Sequence, residues 1–266
     1  GFRLVQELET AQSNKYESDE LVSQYLLLHW GSPDEQRDAA IAEQSGFPKT
    51  GNLVERTVGL MGEFATAHNR ALDLGCAVGR ASFDLARQFG RVTGVDYSEG
   101  FIAAANTLKE NSSLPYKRWE TGRHFSELEA ALAPHHDPSR VSFLEGDATN
   151  LDSLDLGKNP FDAVLLCNLM CRLPDPAACL RQFTGGNSYL APGGVLVIAS
   201  PNTWMTQYTR PEKFLDGADS DATLTALGEI LQGFSLLHSE DFPFMIREHR
   251  RKYEYIISQL SVWRKQ

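Results

Sequence analysis

Little in this sequence points to a crosslinked or metal-stapled protein. It has four cysteines, Cys76, Cys167, Cys171 and Cys179, with no CxxC pair and no Cys/His cluster at zinc-like spacing. No metal and no disulfide are expected, and buried or pocket-lining thiols in a reducing compartment are. Long apolar runs are missing too. None reaches the roughly 20 residues needed to cross a bilayer, and no secretory apolar stretch is present, so no membrane association and a cytosolic location are expected. Basic charge is scarce, with 25 Lys and Arg against 35 Asp and Glu and a formal net charge of −10. Such a surface repels phosphate backbones and argues against a general nucleic-acid binder, leaving room only for a local basic groove. What is present suits one large α/β domain with a proper core: 266 residues, 42% apolar and 23% charged. The chain opens on Gly1, as expected of a trimmed protein or of one module of a longer one.

The first third reads as helical. Ser18 offers a cap and Asp19 and Glu20 an acidic first turn, ahead of an apolar face that includes Tyr25 and His29 and stops at Gly31. A second helix is expected over residues 53–68. From Arg70 the pattern alternates. Strands are expected over residues 71–74, 91–96, 141–145, 161–166, 195–200, 234–238 and 253–263. Helices are expected over residues 80–89, 98–110, 176–189 and 221–231. Strand–helix alternation is the mark of a mostly parallel sheet covered on both faces. The expected division is a helical extension or lid over residues 1–69 and a ligand-binding domain over 70–266. Residues 111–140 are too long for an ordinary connection. With prolines at 115, 134 and 138 they read as a partly irregular insertion that covers a sheet edge or lids the site.

The strongest signal runs from Leu72 to Arg80. A strand ends, Gly75 opens a turn, and a helix starts after Gly79. Glycines there let the backbone pass close to a ligand, and the helix start presents free N–H groups. The spacing is not GxGxxG and no P-loop lysine follows, which disfavours a nicotinamide enzyme or a nucleotide triphosphatase. Asp96 ends the next strand where an acid reads ribose hydroxyls, and Asp147 follows the third strand. Each residue alone could be a turn glycine or a helix cap; the set in this order is the argument.

Together these motifs resemble class I methyltransferases, which use S-adenosylmethionine (AdoMet) and release S-adenosylhomocysteine. The resemblance implies a Rossmann-like seven-stranded sheet of order 3-2-1-4-5-7-6 with strand 7 antiparallel. It implies a methionine site at Asp73, Gly75, Cys76, Gly79 and Arg80, and a ribose site at Asp96 with Tyr97 and Ser98. Asp147 and Ala148 would take the adenine amine, with Tyr97 and Phe101 flanking the ring. Asn168, after the fourth strand, would lie beside the transferred methyl. The Asn/Asp-Pro-Pro-Tyr sequence of DNA amino-methyltransferases is absent there, so a small-molecule acceptor is expected.

Segments outside that core narrow the resemblance. Residues 16–31, 73–80, 96–98, 200–204, 246–253 and 261–264 are similar to the C-terminal methyltransferase domain of ovothiol synthases. That likeness implies N-methylation of the imidazole of 5-thiohistidine, at the nitrogen nearest the side-chain attachment. It also implies a sulfoxide synthase as a linked or separate partner, whose histidine ligand pattern this chain lacks. A zwitterionic acceptor needs a cation for its carboxylate, and arginine forks suit one. The candidates for acceptor binding are Tyr16, Tyr25, His29, Arg172, Trp204 and Arg247. Those for catalysis are Asn168, Arg172, Tyr25 and His29. Each has a plainer reading: Tyr25 and His29 share a helix face that suits core packing, and Arg247 lies in a basic run that suits solvent. Another small-molecule acceptor, or a non-catalytic AdoMet-binding module, remains open, because fold does not fix function.

Overall fold

A computed structural model describes residues 18–48, 50–186 and 188–266. Tyr16 lies outside the described residues.

Seven strands form one sheet. In chain order β1 is Arg70–Leu74, β2 Arg91–Asp96, β3 Ser113–Thr121, β4 His124–Ala131, β5 Val141–Glu145, β6 Phe161–Cys167, β7 Leu190–Ser200, β8 Phe234–His249 and β9 Lys252–Lys265. The sheet order is β5-β2-β1-β6-β7-β9-β8, with β3 and β4 paired apart from it. Setting that hairpin aside, this is the expected 3-2-1-4-5-7-6 order. β5, β2, β1, β6 and β7 run parallel, and β9 is antiparallel to both neighbours.

The central strands are apolar on both faces because both faces are covered. Side chains alternate along each strand. Ala71, Ala163, Leu165, Val195 and Val197 enter one core with Leu26, Leu27, Met61 and Phe83. Leu72, Leu74, Val164, Leu166, Leu196 and Ile198 enter the other with Leu180, Phe183 and Leu227. The helices are α1 Asp19–Trp30, α2 Pro33–Gln36, α3 Ala39–Ser45, α4 Leu53–Phe64, α5 Arg80–Leu85, α6 Glu99–Asn111, α7 Pro176–Arg181 and α8 Ser220–Ile230. Their starts follow the sequence signals: Ser18, Asn52, Ser98, Asp175 and Asp219 each accept a backbone N–H from the first turn. No helix among the described residues is long and apolar enough to cross a membrane.

Four expectations change. Residues 111–140 hold an ordered antiparallel hairpin rather than irregular chain. Tyr116 and Ala130 are its buried residues, and Gly122 turns it at φ +54°. Pro115 is tolerated because a two-stranded ribbon has only edges. The hairpin packs on α1 and α6 and reaches β8, and none of its residues lines the main cavity. The expected helices over 80–89 and 176–189 are shorter, with α7 giving way to a glycine turn at Gly185, φ +78°. The expected sixth strand over 234–238 extends to His249. Its far half pairs with β9 from Lys252 onward, where burial is one-sided and the sequence pattern correspondingly faint.

Candidate active site

The carboxyl ends of β1, β2, β5 and β6 open into a cavity of about 820 Å³. The turn after β1 is held from β2, because the N–H groups of Gly75 and Cys76 both reach the Val95 carbonyl, at 2.8 and 3.0 Å. Gly75 has φ +80°, and a Cβ there would meet Leu169 at 3.0 Å. The turn therefore needs glycine. Asp96 bridges two segments: one oxygen accepts from the Ala77 N–H at 2.9 Å and the other from the Ser98 N–H at 3.0 Å. Ser98 caps α6 through the Phe101 N–H, which places Phe101 against Tyr25 with ring centroids 4.7 Å apart. Tyr97 is 75% exposed and lines the cavity. Asp147 orders its own turn by accepting from Thr149, and Gln182 holds the Ala148 carbonyl.

Asp73 is 1% exposed and accepts from the Ser82 hydroxyl at 2.6 Å. Burial first, and the nearby Asp96 charge after it, push its carboxyl up to about 7. A raised carboxyl retains its proton in the folded chain after the unfolded chain has lost it. That contribution to stability is complete below the ordinary value of 3.8 and is lost as pH rises through about 7. Melting temperatures of the ligand-free wild type and Asp73→Asn, scanned from acid to neutral, are therefore expected to diverge. The wild type should lose stability relative to the variant as pH rises, and parallel curves would contradict this account.

The other half of the cavity is built by α1, the segment after β6, and β8. Asn168 adopts φ +54°, and its Oδ1 accepts from the Ser258 hydroxyl at 2.8 Å. Cys167 lines the wall with its thiol pushed up to about 12 by burial. Tyr25 is likewise raised to about 12, first by burial and then by Asp96. His29 is lowered to about 4, first by burial and then by the Arg80 guanidinium. Arg172 donates to the Thr203 carbonyl at 3.0 Å and the Cys171 carbonyl at 3.1 Å, and its guanidinium lies 5.2 Å over the Tyr208 ring. Among the described lining residues it is the one Lys or Arg, facing Asp73, Asp96, Glu99, Glu145 and Asp147. Such a wall fits a cationic nucleoside with a second, smaller ligand beside it, and the volume lies in the range of small-molecule sites.

The structure brings together Asp73, Gly75, Cys76, Asp96, Tyr97, Ser98, Phe101, Asp147, Ala148, Asn168, Tyr25, His29 and Arg172. Four expected residues stay outside. Gly79 is required by packing instead: at φ +82° a Cβ would lie 2.6 Å from Phe143. Arg80 turns away to Asp84 and the His29 carbonyl. Trp204 stacks on Phe214 at 5.4 Å and joins the second core. Arg247 is buried and paired with Glu120 at 2.7 Å and the Glu35 carbonyl at 3.1 Å, so it ties the hairpin and α2 to β8. Sequence reasoning missed Gln36, Asn52, Gln207, Tyr208 and the apolar wall Phe244, Met245 and Ile246. No motif marks them, since they meet only through tertiary folding.

Residues 72–198 match the family model of a methyltransferase domain. The match covers a little under half of the chain. The ubiquinone biosynthesis O-methyltransferase of Psychrobacter cryohalolentis is 29% identical over 140 residues, 53% of this chain and 44% of that protein. The enzyme so named from Caulobacter sp. is 31% identical over 133 residues, 50% of this chain and 41% of that protein. The match thus spans less than half the length of these curated relatives. A solved SAM-dependent methyltransferase of Methanosarcina mazei superposes with a TM-score of 0.50 at 17% identity, covering 77% of this chain and 96% of that one. The superposed structure shares the fold, and the family model and the named relatives are all methyltransferases. The matched region starts in β1 and ends in β7, so α1, α2, the start of α4 and β8, which complete the cavity, lie outside it.

Proposed function

We propose that this chain methylates the imidazole nitrogen of 5-thiohistidine nearest the side-chain attachment, with AdoMet as donor. The observation that carries the reading is Arg172, the one Lys or Arg among the described residues of an acidic wall, set where an amino-acid carboxylate would need it. The sequence likeness to ovothiol synthase methyltransferase domains supports the acceptor's identity. By the same likeness a sulfoxide synthase, linked or separate, would supply it. The four free cysteines fit a reducing cytosol.

Bound AdoMet supplies an electrophilic methyl on a cationic sulfur. Asp96 would accept from the ribose hydroxyls, and Asp147 with the Ala148 backbone would take the adenine amine beside Tyr97 and Phe101. Gly75 and Cys76 would pass close to the methionine part, with Asp73 beneath them. On the acceptor side Arg172 would fork onto the carboxylate, and Asn168 would orient the ring with its amide NH₂. AdoMet would supply the methyl, its bond pair returning to sulfur, to an acceptor nitrogen already without its proton, so no residue of the chain need act as a base. Holding the three atoms in line supplies much of the rate. Positive charge would leave sulfur and pass towards the ring, spread over both as it moves, and the apolar Leu28, Leu53 and Phe244 lining the cavity favour that over a wet site. Tyr25 and His29 would close the chamber from α1.

Initial rates on 5-thiohistidine, histidine and ergothioneine, read by mass spectrometry at equal AdoMet, test this. One added methyl on 5-thiohistidine alone is expected. Turnover of an unrelated amine, thiol or hydroxyl instead would assign another acceptor. Tight AdoMet binding with no product on any acceptor would point to a non-catalytic module.

A further inference from the structure

Among the described residues lining the cavity, His29 alone has an enclosed side-chain polar atom without a partner, its Nδ1. A ring so placed is not held by its own hydrogen bonds. Arg80 holds it from behind. The Arg80 Nη1 donates to the His29 backbone carbonyl at 3.2 Å, and the guanidinium lies 5.0 Å over the adjoining Trp30 ring. Its Nε is fixed on Asp84 at 2.7 Å. Asp84 is braced in turn by the Nε2 of His136 at 2.8 Å. The Nδ1 of His136 accepts the Ala133 N–H at 3.0 Å, so Nε2 carries the proton that it gives to Asp84. Asp84, His135 and His136 are close enough to surround a cation. With that proton in place and Arg80 already balancing the carboxylate, they form an anchor instead.

We propose that Arg80 is a positioning residue for the methyl acceptor, acting through His29: it pins the end of α1 so that the His29 ring faces the acceptor side of the cavity. Arg80 begins α5 directly after the glycine turn, so one side chain ties the donor half of the site to the acceptor half. Charge follows from the same contact. The charged groups facing His29 are Arg80 and Asp84 from α5, with opposite effects. Tyr25 is its titratable neighbour on α1, with ring centroids 5.9 Å apart, and Asp96 from β2 acts on Tyr25. Burial and Arg80 hold the ring uncharged down to about pH 4. The ring then adds no positive charge of its own beside a sulfonium donor, where like charges would repel.

The assignment of the acceptor side rests on the function proposed above; the anchoring of His29 does not. The test is an NMR titration of the seven histidines in the ligand-free full chain, with His29→Asn to assign the resonance. Acceptor KM and AdoMet Kd are measured alongside it. In the wild type His29 is expected to titrate near pH 4. In Arg80→Gln its midpoint should rise by about one pH unit or more, since a neighbouring cation is gone. Acceptor KM should rise about tenfold, as expected when a charged hydrogen bond that places the ring is lost, with AdoMet Kd unchanged. Arg80→Lys keeps the charge without the fork, so the titration should stay close to wild type while the KM still rises. That variant carries the kinetic test if Arg80→Gln does not fold. An unmoved His29 midpoint in Arg80→Gln would overturn the proposal, as would weakened AdoMet binding with an unchanged acceptor KM. Should the wild type methylate no thioimidazole, the acceptor reading fails, and the titration alone decides the anchoring.

Discussion

Replacing Arg172 with alanine is expected to raise the acceptor KM by about 10- to 100-fold and to leave AdoMet affinity unchanged. The magnitude is that of a hydrogen bond to a charged group, roughly 1.5–3 kcal/mol. The side chain is already aimed, because contacts to the Cys171 and Thr203 carbonyls and the Tyr208 ring hold the guanidinium. Little rotamer entropy is then lost on binding. Arg172→Lys should recover only part of the loss, since a point charge cannot fork onto a carboxylate. A second arm sharpens the test: an acceptor analogue lacking its carboxylate should bind wild type and variant equally. If AdoMet affinity falls instead and acceptor KM holds, Arg172 belongs to the donor half, and the amino-acid reading loses its main support.

Asp96→Ala should weaken AdoMet by at least about 100-fold, because two losses add. The ribose hydroxyls lose a charged acceptor, at roughly 1.5–3 kcal/mol. The N–H groups of Ala77 and Ser98 lose theirs as well, and each donor left unmet in a closed site costs about 1–3 kcal/mol more. The second loss acts on the ligand-free chain too, so the melting temperature should fall along with affinity. Asp147→Ala removes the adenine contact proposed for it and, from the protein, only bonds within its own turn, so it should be milder in both respects. Titration calorimetry and thermal melts on the two variants check this. A lower melting temperature with an unchanged AdoMet Kd would reduce Asp96 to a clamp on the turn.

The donor half was legible in the sequence because its residues act close to where they stand in the chain. Gly75 needs its positive φ, and Asp96 ends a strand with its carboxylate over the neighbouring turn. The strand order followed from the resemblance, and the continuous apolar runs of β1, β6 and β7 agreed with it. The acceptor half was legible only through Tyr25, His29, Asn168 and Arg172. Gln36, Tyr208 and Phe244 converge from separate elements, and no spacing in one chain announces that. Arg80 and Arg247 show the opposite failure. Both carry charge near informative motifs, yet each is spent on a neighbouring carboxylate, Asp84 or Glu120. A motif gives the position of a side chain in the chain and not its rotamer. Gly79 was a sound choice for a different reason, since Phe143 and not a ligand fills the space where its Cβ would be. The hairpin over β3 and β4 escaped because its prolines and glycine suggested irregular chain. Its apolar positions at Leu114, Tyr116, Leu128 and Ala130, paired across the ribbon, carried the strand signal.

The central claim is that this cavity delivers a methyl group to a ring nitrogen of 5-thiohistidine. Incubation of the purified chain with AdoMet labelled with carbon-13 at the methyl, followed by two-dimensional NMR of the product, tests it most directly. The account predicts one label per acceptor, on the imidazole nitrogen adjacent to the side-chain attachment and correlated with the ring carbons. A label on sulfur or on the α-amine, or no label transferred while AdoMet remains bound, would contradict it.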